Sequence, residues 1–142
     1  MNFIGLKYHH FGLATKNEKK ATDFLRGLGY SISGIIYDPL QMVNLIMCEH
    51  KSFPDVEVIF PKSKNETNSP LSNIFKLQNE LIYHICYTTT NLDMSLQKIK
   101  EIGLRVIPIS LKKEAILFNN NPVSFYKIAG FGIIEILELP KD

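Results

Sequence analysis

Two histidines stand in apolar runs that are typical of β-strands. His10 lies in Lys7–Thr15, and His84 lies in Leu81–Thr88. Runs rich in β-branched and aromatic residues predict strands that are buried on at least one face. A buried imidazole needs a polar partner, which can be another side chain, a water molecule or a metal ion. Taken singly, each histidine fits a hydrogen-bonded core residue as well as it fits a metal ligand.

Two glutamates occupy equally apolar runs later in each half of the chain. Glu57 lies within Val56–Phe60, and Glu135 lies within Ile134–Glu138. Desolvating a carboxylate inside a sheet costs roughly several kcal/mol unless the carboxylate is paired or bound to a cation. The competing interpretation is a strand whose glutamate faces solvent. Both interpretations stay open for one glutamate considered alone.

The spacing of these residues predicts an internal duplication. His10 and His84 are 74 residues apart (84 − 10). The two glutamates, Glu57 and Glu135, are 78 apart (135 − 57), which predicts about four extra residues in the β-loops of the second half, where insertions are tolerated. The offset of 74 also separates two pairs of predicted helix boundaries, the caps Asn17 and Asn91 and the stops Gly29 and Gly103.

Each half of the duplication reads as strand, helix and then further strands. In the first half, an apolar stripe at i, i+3, i+4 and i+7 predicts an amphipathic helix, formed by Ala21, Phe24, Leu25 and Leu28. In the second half, the corresponding stripe is formed by Leu92, Leu96 and Ile99. Further strands are predicted over 30–37, 41–48 and 56–60, and over 104–109, 114–118, 123–128 and 132–139.

The length and the polar middle of the chain predict one domain made of two modules. A chain of 142 residues suits a single compact domain. We place the modules at residues 6–61 and 81–140. The polar linker and a short helix fill residues 62–80, with Ser69 as the helix cap and Pro70 at the first helical position.

The composition narrows the class of protein and of partner. The hydrophobic fraction of 45% is that of a globular protein, and the net charge is +2 with the basic residues scattered. This pattern argues against nucleic acid as a partner. No apolar run approaches the roughly 20 residues of a membrane span, and the N-terminus lacks signal-peptide character. Cys48 and Cys86 are expected to be reduced, which predicts a cytoplasmic protein.

The four polar residues would suit a divalent metal if the two modules bring them together. Two neutral imidazoles and two carboxylates carry a net charge of −2, which a divalent cation neutralises. Mixed nitrogen and oxygen ligands favour Ni, Co, Zn, Mn or Fe(II). Four protein ligands leave two octahedral positions, enough for a substrate that chelates through two oxygens. The predicted metal ligands are His10, Glu57, His84 and Glu135.

The order and spacing of five short stretches resemble the vicinal oxygen chelate superfamily, which includes glyoxalase I, methylmalonyl-CoA epimerase, extradiol dioxygenases and bleomycin- and fosfomycin-resistance proteins. The resemblance implies an α+β fold in which two tandem βαβββ modules form a cupped mixed sheet around a metal site. It implies the same four metal ligands. The matching stretches are His10–Ala14, Val56–Pro61, Ser69–Leu71, Tyr83–Tyr87 and Gly132–Glu138.

Glu57 separates the branches of this superfamily. Extradiol dioxygenases and fosfomycin-resistance enzymes use two histidines and one glutamate, whereas a His/Glu/His/Glu set resembles glyoxalase I or the epimerase. The resemblance therefore implies a metal-dependent lyase or isomerase that polarises a carbonyl and moves an adjacent proton through an enediolate or enolate. Glu135 is the predicted base, and Glu57 is its near-symmetric counterpart. The implied substrates are an oxo-thiol adduct or an acyl thioester.

Other residues bear on the substrate. The segment Ser69–Leu71 resembles an epimerase segment near the carrier arm of the thioester, so Ser69 is predicted to contact substrate. Gln41 is predicted to line the substrate pocket. The epimerase has a second catalytic glutamate, where this chain reads Asp38–Gln41. Arg26 and Arg105 are the only arginines, so no arginine set is available for the carboxylates of glutathione.

Two other functions compete with the enzyme. One is a small-molecule binding or sequestering protein of the antibiotic-resistance type, with the same fold and no turnover. The other is a structural duplicated domain whose four polar residues face solvent. We also expect a homodimer.

Overall fold

The computed structural model describes residues 2–63 and 71–141, so the prediction for Ser69 lies outside the described residues. Three α-helices and ten strands follow one another along these residues. Their order is β1 (Lys7–Thr15), α1 (Glu18–Gly27), β2 (Ser31–Ile32), β3 (Ile36–Asp38), β4 (Val43–Glu49), β5 (Asp55–Phe60), α2 (Ser72–Phe75), β6 (Glu80–Thr89), α3 (Leu92–Glu101), β7 (Val106–Pro108), β8 (Lys113–Ala115), β9 (Asn121–Ile128) and β10 (Gly132–Glu138).

The predicted βαβββ pattern occurs twice, with the strand after each long helix divided into two short pieces. β2 and β3 both pair antiparallel with β4, and β7 and β8 both pair antiparallel with β9. The prediction of one continuous strand over 30–37 is therefore wrong, because this stretch forms the two short strands β2 and β3. The predicted separation of 104–109 from 114–118 agrees with β7 and β8, although the strands are shorter.

The chain forms two compact units that differ slightly from the predicted modules. The first unit is His10–Tyr83, and the second unit is Met1–His9 together with His84–Asp142. The start of the chain belongs to the second unit because Ile4 and Leu6 pack against that unit's core. The predicted module boundaries stay a prediction.

The first unit contains a mixed sheet with α1 on one side. β5 pairs parallel with β1 and antiparallel with β4. Parallel pairing of β1 and β5 is possible because the α1 crossover returns the chain to the same end of the sheet. The core on the helix side is apolar, and it contains Leu25, Tyr30, Ile46, Cys48, Val56, Val58 and Phe60.

The second unit repeats this construction. β10 pairs parallel with β6 and antiparallel with β9. Leu92 and Ile99 of α3 are buried in the core, and Leu96 packs against it, as the sequence predicted. The remaining buried members of this core come from β9 and β10, namely Tyr126, Ile128, Ile134 and Ile136.

The predicted boundaries of the two long helices are confirmed. The side chain of Asn17 accepts a hydrogen bond from the backbone N–H of Lys20 at 3.0 Å, and the side chain of Asn91 accepts one from Met94 at 3.1 Å. Such caps satisfy backbone donors that the first turn of a helix leaves open. The stops Gly29 and Gly103 have φ angles of +95° and +88°, which only glycine adopts without strain.

The apolar stripe predicted for α1 is wrong at two of its four positions. Leu25 is buried and Ala21 packs against the core, but the side chains of Phe24 and Leu28 are 68% and 42% exposed. The buried face is shifted toward Thr22, whose hydroxyl donates to the carbonyl of Glu18 at 2.9 Å. Because this hydroxyl is satisfied within the helix, a polar residue can occupy a core-facing position that the stripe assigned to apolar residues.

Two shorter predictions also differ from the structure. Residues 116–118 form a turn of 3₁₀ helix instead of continuing β8. Asn119 and Asn120, which follow, have φ angles of +56° and +59°. Asparagine tolerates this left-handed conformation, and these two residues connect the 3₁₀ turn to β9. α2, the short helix predicted after the polar linker, covers only Ser72–Phe75.

Among the described residues, none of the helices combines the length and the apolar character needed to cross a membrane. Cys48 and Cys86 are both buried, and neither forms a disulfide.

Candidate metal centre

In the first unit, the parallel pairing of β1 and β5 brings His10 beside Glu57. The register aligns Gly12 with Glu57, so His10 lies one side-chain repeat earlier on the same face. The Nε2 atom of His10 is 3.8 Å from the Oε1 atom of Glu57. The residues are 0% and 4% exposed, so the carboxylate and the imidazole meet away from bulk solvent.

In the second unit, the parallel pairing of β6 and β10 brings His84 beside Glu135. The register aligns Cys86 with Glu135, and His84 again lies two residues earlier on β6. The Nε2 atom of His84 is 3.3 Å from the Oε1 atom of Glu135. Both residues are 2% exposed. The interpretation that the two glutamates face solvent is therefore wrong.

Both His–Glu pairs result from the alternation of side chains along a β-strand. Side chains alternate along β1, so Phe11 and Leu13 pack into the core on the helix side, while His10 takes the other face. Tyr87 packs in the same way in the second unit, and His84 takes the other face. Each unit thus presents one imidazole and one carboxylate on the sheet face that its helix does not cover.

The chemistry of each pair suits a borderline metal. An imidazole nitrogen and a carboxylate oxygen are the donor types that Ni, Co, Zn, Mn and Fe(II) accept. With the imidazole neutral, each pair carries one negative charge in a buried setting, where an uncompensated charge is costly. A bound cation would compensate this charge.

The strand beside each glutamate contributes a neighbour that the sequence interpretation missed. Phe125 of β9 pairs in register with Glu135, and Met47 of β4 pairs in register with Glu57. The phenyl ring of Phe125 stands edge-on to the imidazole of His84, with the ring centroids 5.2 Å apart. Phe125 and Met47 are 78 residues apart (125 − 47), so the offset between the glutamates could have identified them as equivalent.

The predicted substrate contact Gln41 lies in the turn between β3 and β4. Its side-chain amide donates to Asp38 Oδ2 at 3.0 Å, and the backbone N–H groups of Leu40 and Gln41 donate to Asp38 Oδ1. Asp38, near which the second epimerase-type carboxylate would fall, is 1% exposed. Its register partner is Val43, roughly 13 Å along β4 from Met47 at about 3.3 Å per residue. The side chains of Asp38 and Gln41 therefore order this turn.

Comparison with protein families decides the wider relationship. Residues 9–125 match the model of the Glyoxalase/Bleomycin resistance protein/Dioxygenase superfamily. The chain belongs to this superfamily. The match includes His10, Glu57 and His84 and ends before Glu135 of β10. It confirms the predicted resemblance to the vicinal oxygen chelate proteins.

Several solved structures share this fold. The chain is similar to methylmalonyl-CoA epimerase from Mycobacterium tuberculosis, with 17% identity, a TM-score of 0.71 and coverage of 97% of this chain and 89% of that one. A hypothetical protein from Bacillus halodurans C-125 shows 22% identity and a TM-score of 0.73, with 96% of each chain covered.

A third solved structure is a variant of Streptomyces coelicolor methylmalonyl-CoA epimerase in complex with 2-nitronate-propionyl-CoA. It shows 16% identity and a TM-score of 0.67, with coverage of 93% of this chain and 96% of the epimerase chain. At these identities the likeness establishes the fold alone, and the predicted fold class is confirmed. No curated protein matches the chain.

Proposed function

We propose that this protein is a metal-dependent lyase or isomerase in which His10, Glu57, His84 and Glu135 hold one divalent cation. The observation that carries the proposal is the pair of buried His–Glu contacts, at 3.8 Å and 3.3 Å, built on the same strand register in each unit. One such pair has an ordinary structural explanation. Two pairs, at equivalent positions of a duplicated chain, fit a shared ligand better.

The donor set fits the metals that the sequence predicted. The four residues offer two imidazole groups and two carboxylate groups as donors. Two neutral imidazoles and two carboxylates give a net charge of −2, which Ni, Co, Zn, Mn or Fe(II) would neutralise. A cation bound there would supply Lewis-acid polarisation of a substrate carbonyl.

The side chains of the protein would carry the proton transfer. Glu135 would accept the proton from the carbon adjacent to the carbonyl, while the electron pair of that C–H bond moves toward the carbonyl group. The same carboxyl group would return the proton to this carbon or to the neighbouring one. Phe125, which is 8% exposed, would limit the access of water to Glu135 from the side of β9. Glu57 would be the counterpart of Glu135 in the first unit.

We propose a thioester or a thiol adduct as the substrate class, either a 2-methyl acyl thioester or a 2-oxo thiohemiacetal. The support is the likeness to methylmalonyl-CoA epimerases, one of them solved with methylmalonyl-CoA. Only Arg26 and Arg105 are available as guanidinium groups for the carboxylates of glutathione, which a thiohemiacetal substrate of the glyoxalase type would carry. This shortage favours the acyl thioester.

Metal analysis of the purified protein tests the ligand set. We expect about 1 equivalent of a transition metal, reduced to a small fraction by His84→Ala. Glu114→Gln is the matched control, since Glu114 is an exposed strand glutamate on β8. Less than about 0.2 equivalents, with no gain on adding Ni, Co or Zn, would overturn the proposal.

Solvent deuterium exchange tests turnover. A candidate acyl thioester is incubated with the metal-loaded protein in deuterated water, and its mass is followed with time. We expect incorporation of one deuteron next to the carbonyl, abolished by chelation of the metal and strongly reduced by Glu135→Gln. No metal-dependent exchange with any candidate would rule out this reaction class.

One observation favours a second candidate function, the binding or sequestering of a small molecule without turnover. Asp38 and Gln41, which lie where an epimerase-type carboxylate and a pocket amide would fall, are hydrogen-bonded to each other. A protein of this kind would bind its ligand equally well with Glu135→Gln and would show no exchange. Equilibrium binding and deuterium exchange, measured on the same variant, distinguish the two functions.

We further propose that the protein is a cytoplasmic homodimer. The support for a reducing compartment is that neither Cys48 nor Cys86 forms a disulfide bond. Light scattering after size exclusion would report about twice the chain mass of 16.2 kDa. A monomer mass at all accessible concentrations would contradict the dimer.

A further inference from the structure

The first unit contains a cleft that none of the four proposed metal ligands lines. Its volume is about 800 Å³. Its walls come from the ends of β1 and β5, the first turn of α1, and α2. A volume of this size lies within the range of small-molecule sites, which is about 300–1,000 Å³. The size of the cleft does not identify its ligand, whereas the charge of the residues that line it indicates a ligand class.

Four lysines line the cleft, and they outnumber its two carboxylates. The acidic residues are Glu18 and Glu80, so the lining has an excess of two positive charges. Within the described parts of the chain, none of the four lysines forms an ion pair with a carboxylate. The lysines are Lys16, Lys20, Lys62 and Lys76.

Three of these lysines contact neutral groups. The ammonium group of Lys16 lies 5.7 Å from the centre of the Phe75 ring, and that of Lys62 lies 4.7 Å from the centre of the Tyr37 ring. Lys76 donates to the side-chain oxygen of Asn73 at 3.3 Å. Exposed contacts of this kind are weak, at about 0.5–1 kcal/mol, so the ammonium groups can turn toward an anion at little cost.

The backbone beneath Lys16 and Lys20 is fixed. The N–H of Lys16 donates to the carbonyl of Asn79 at 2.9 Å, which joins the end of β1 to the start of β6. The N–H of Lys20 is held by the cap Asn17. Because only the side chains of these lysines need to be ordered, the entropic cost of gathering them around a ligand is limited.

We infer that this cleft is a second binding site and that it takes a small molecule carrying phosphate groups. A phosphate or diphosphate group offers several negative oxygens to cations that lack carboxylate partners. The ring of Phe75 and the apolar surface of Pro61 would contact the uncharged part of the molecule. The inference does not depend on the metal site, since the cleft lies wholly within His10–Tyr83.

Calorimetric titration of the full-length protein tests this site. Pyrophosphate and coenzyme A are titrated separately, with and without prior treatment of the protein with EDTA. We expect one saturable event that survives EDTA and weakens as salt is raised from about 50 to about 200 mM. The double variant Lys16→Gln/Lys20→Gln should lose about tenfold or more in affinity for the probe that binds, since two cations are removed.

The matched control is Lys51→Gln/Lys100→Gln, which removes the same charge at exposed positions that do not line the cleft. Its affinity should stay within about twofold of the unchanged protein. No saturable binding of either probe would overturn the inference. If the Lys16/Lys20 variant bound the probe as tightly as the unchanged protein, the binding would lie outside the cleft and the inference would be wrong. If the control variant lost as much affinity as the Lys16/Lys20 variant, the binding would be unspecific and the inference would also be wrong.

The two probes distinguish the sources of the phosphate group. Tighter binding of coenzyme A than of pyrophosphate, by about tenfold, would identify a phosphorylated organic carrier and would favour the acyl thioester among the proposed substrates. Equal binding would identify an inorganic phosphate site. Only the conclusion about which substrate is favoured rests on the proposed function. Loss of the metal site would leave the binding of pyrophosphate and of coenzyme A unchanged.

Discussion

The phenyl ring of Phe125 meets the imidazole of His84 edge-on, at a centroid distance of 5.2 Å and an interplanar angle of 83°. Edge-to-face pairs in this range are attractive, by about 0.5–1.5 kcal/mol beyond area burial. Phe125 is also the register partner of Glu135. One aromatic side chain therefore adjoins both members of the His–Glu pair in the second unit.

Replacing Phe125 by Leu should lower metal affinity by up to about tenfold, because the edge-on ring contact that helps to orient the imidazole of His84 contributes about 0.5–1.5 kcal/mol. Competition with a coloured chelator measures the affinity, and the visible spectrum of the cobalt-loaded protein reports the ligand geometry. Met47→Leu is the matched control, since Met47 occupies the equivalent position beside Glu57. An unchanged cobalt spectrum and affinity in Phe125→Leu would contradict the positioning role.

Glu135→Gln and Glu57→Gln should differ in their effect on deuterium exchange. Loss of a general base typically costs about 10²–10⁴-fold, and we expect a loss in this range for Glu135→Gln. Glu57→Gln should reduce exchange less at saturating metal, because a side-chain amide oxygen retains a ligand atom. The exchange rate per bound metal measures the contrast. Equal losses in both variants would assign the proton transfer to neither glutamate in particular.

Asn17→Ala and Asn91→Ala should each lower the free energy of unfolding by about 1 kcal/mol, the usual effect of losing a helix cap. The side chains of Asn17 and Asn91 each accept one backbone N–H bond in the first turn of their helices. Urea denaturation measures the change. Serine at either position should restore most of the stability, and a variant in which alanine and serine behave alike would argue against capping.

His50→Ala should destabilise the first unit by about 1–3 kcal/mol, because three hydrogen bonds are lost. Its Nδ1 atom accepts from the N–H groups of Ser52 and Phe53, and its Nε2–H donates to the carbonyl of Leu28 at 3.0 Å. This pattern requires the neutral Nε2–H tautomer. His50→Asn should be milder, because asparagine can still accept from the loop N–H groups. Equal losses in both variants would show that only the bond to Leu28 matters.

Stability should fall as the pH rises between about 9 and 11, in part because of Cys48. Burial raises the pKa of this thiol from 9.0 to about 11. The unfolded thiol therefore loses its proton at a lower pH than the folded one, so the folded state holds more protons in this window and rising pH favours unfolding. Urea denaturation of Cys48→Ala should show a shallower decline over this window. Parallel declines would contradict the assignment to Cys48.

The sequence predicted features that neighbouring residues decide. Asn17 and Gly29 set the boundaries of α1 through a cap and a positive φ angle, and these are local requirements of the backbone. The same local rules identified Asn91 and Gly103. The offset of 74 between these boundaries therefore predicted the internal duplication, and the duplication supported the predicted fold class.

The sequence did not predict which face of α1 is buried or where the strands break. Phe24 is exposed because the sheet packs against Ala21, Thr22 and Leu25, and the stripe alone cannot show that choice. The interruption between β2 and β3 depends on pairing with β4, whose paired residues lie between 5 and 18 positions later along the chain (43 − 38 and 49 − 31). Pairing of this kind is decided by packing across the sheet.

For the candidate site, the residue types and their repeat came from the sequence, while the contacts came from the tertiary structure. His10 and Glu57 meet only because β1 and β5 pair in parallel at one register, across 47 residues of chain (57 − 10). The edge-on ring of Phe125 and the gathering of Lys16 and Lys62 in one cleft carry no local signal. Such contacts are set by strand register and helix packing, which depend on the whole folded unit.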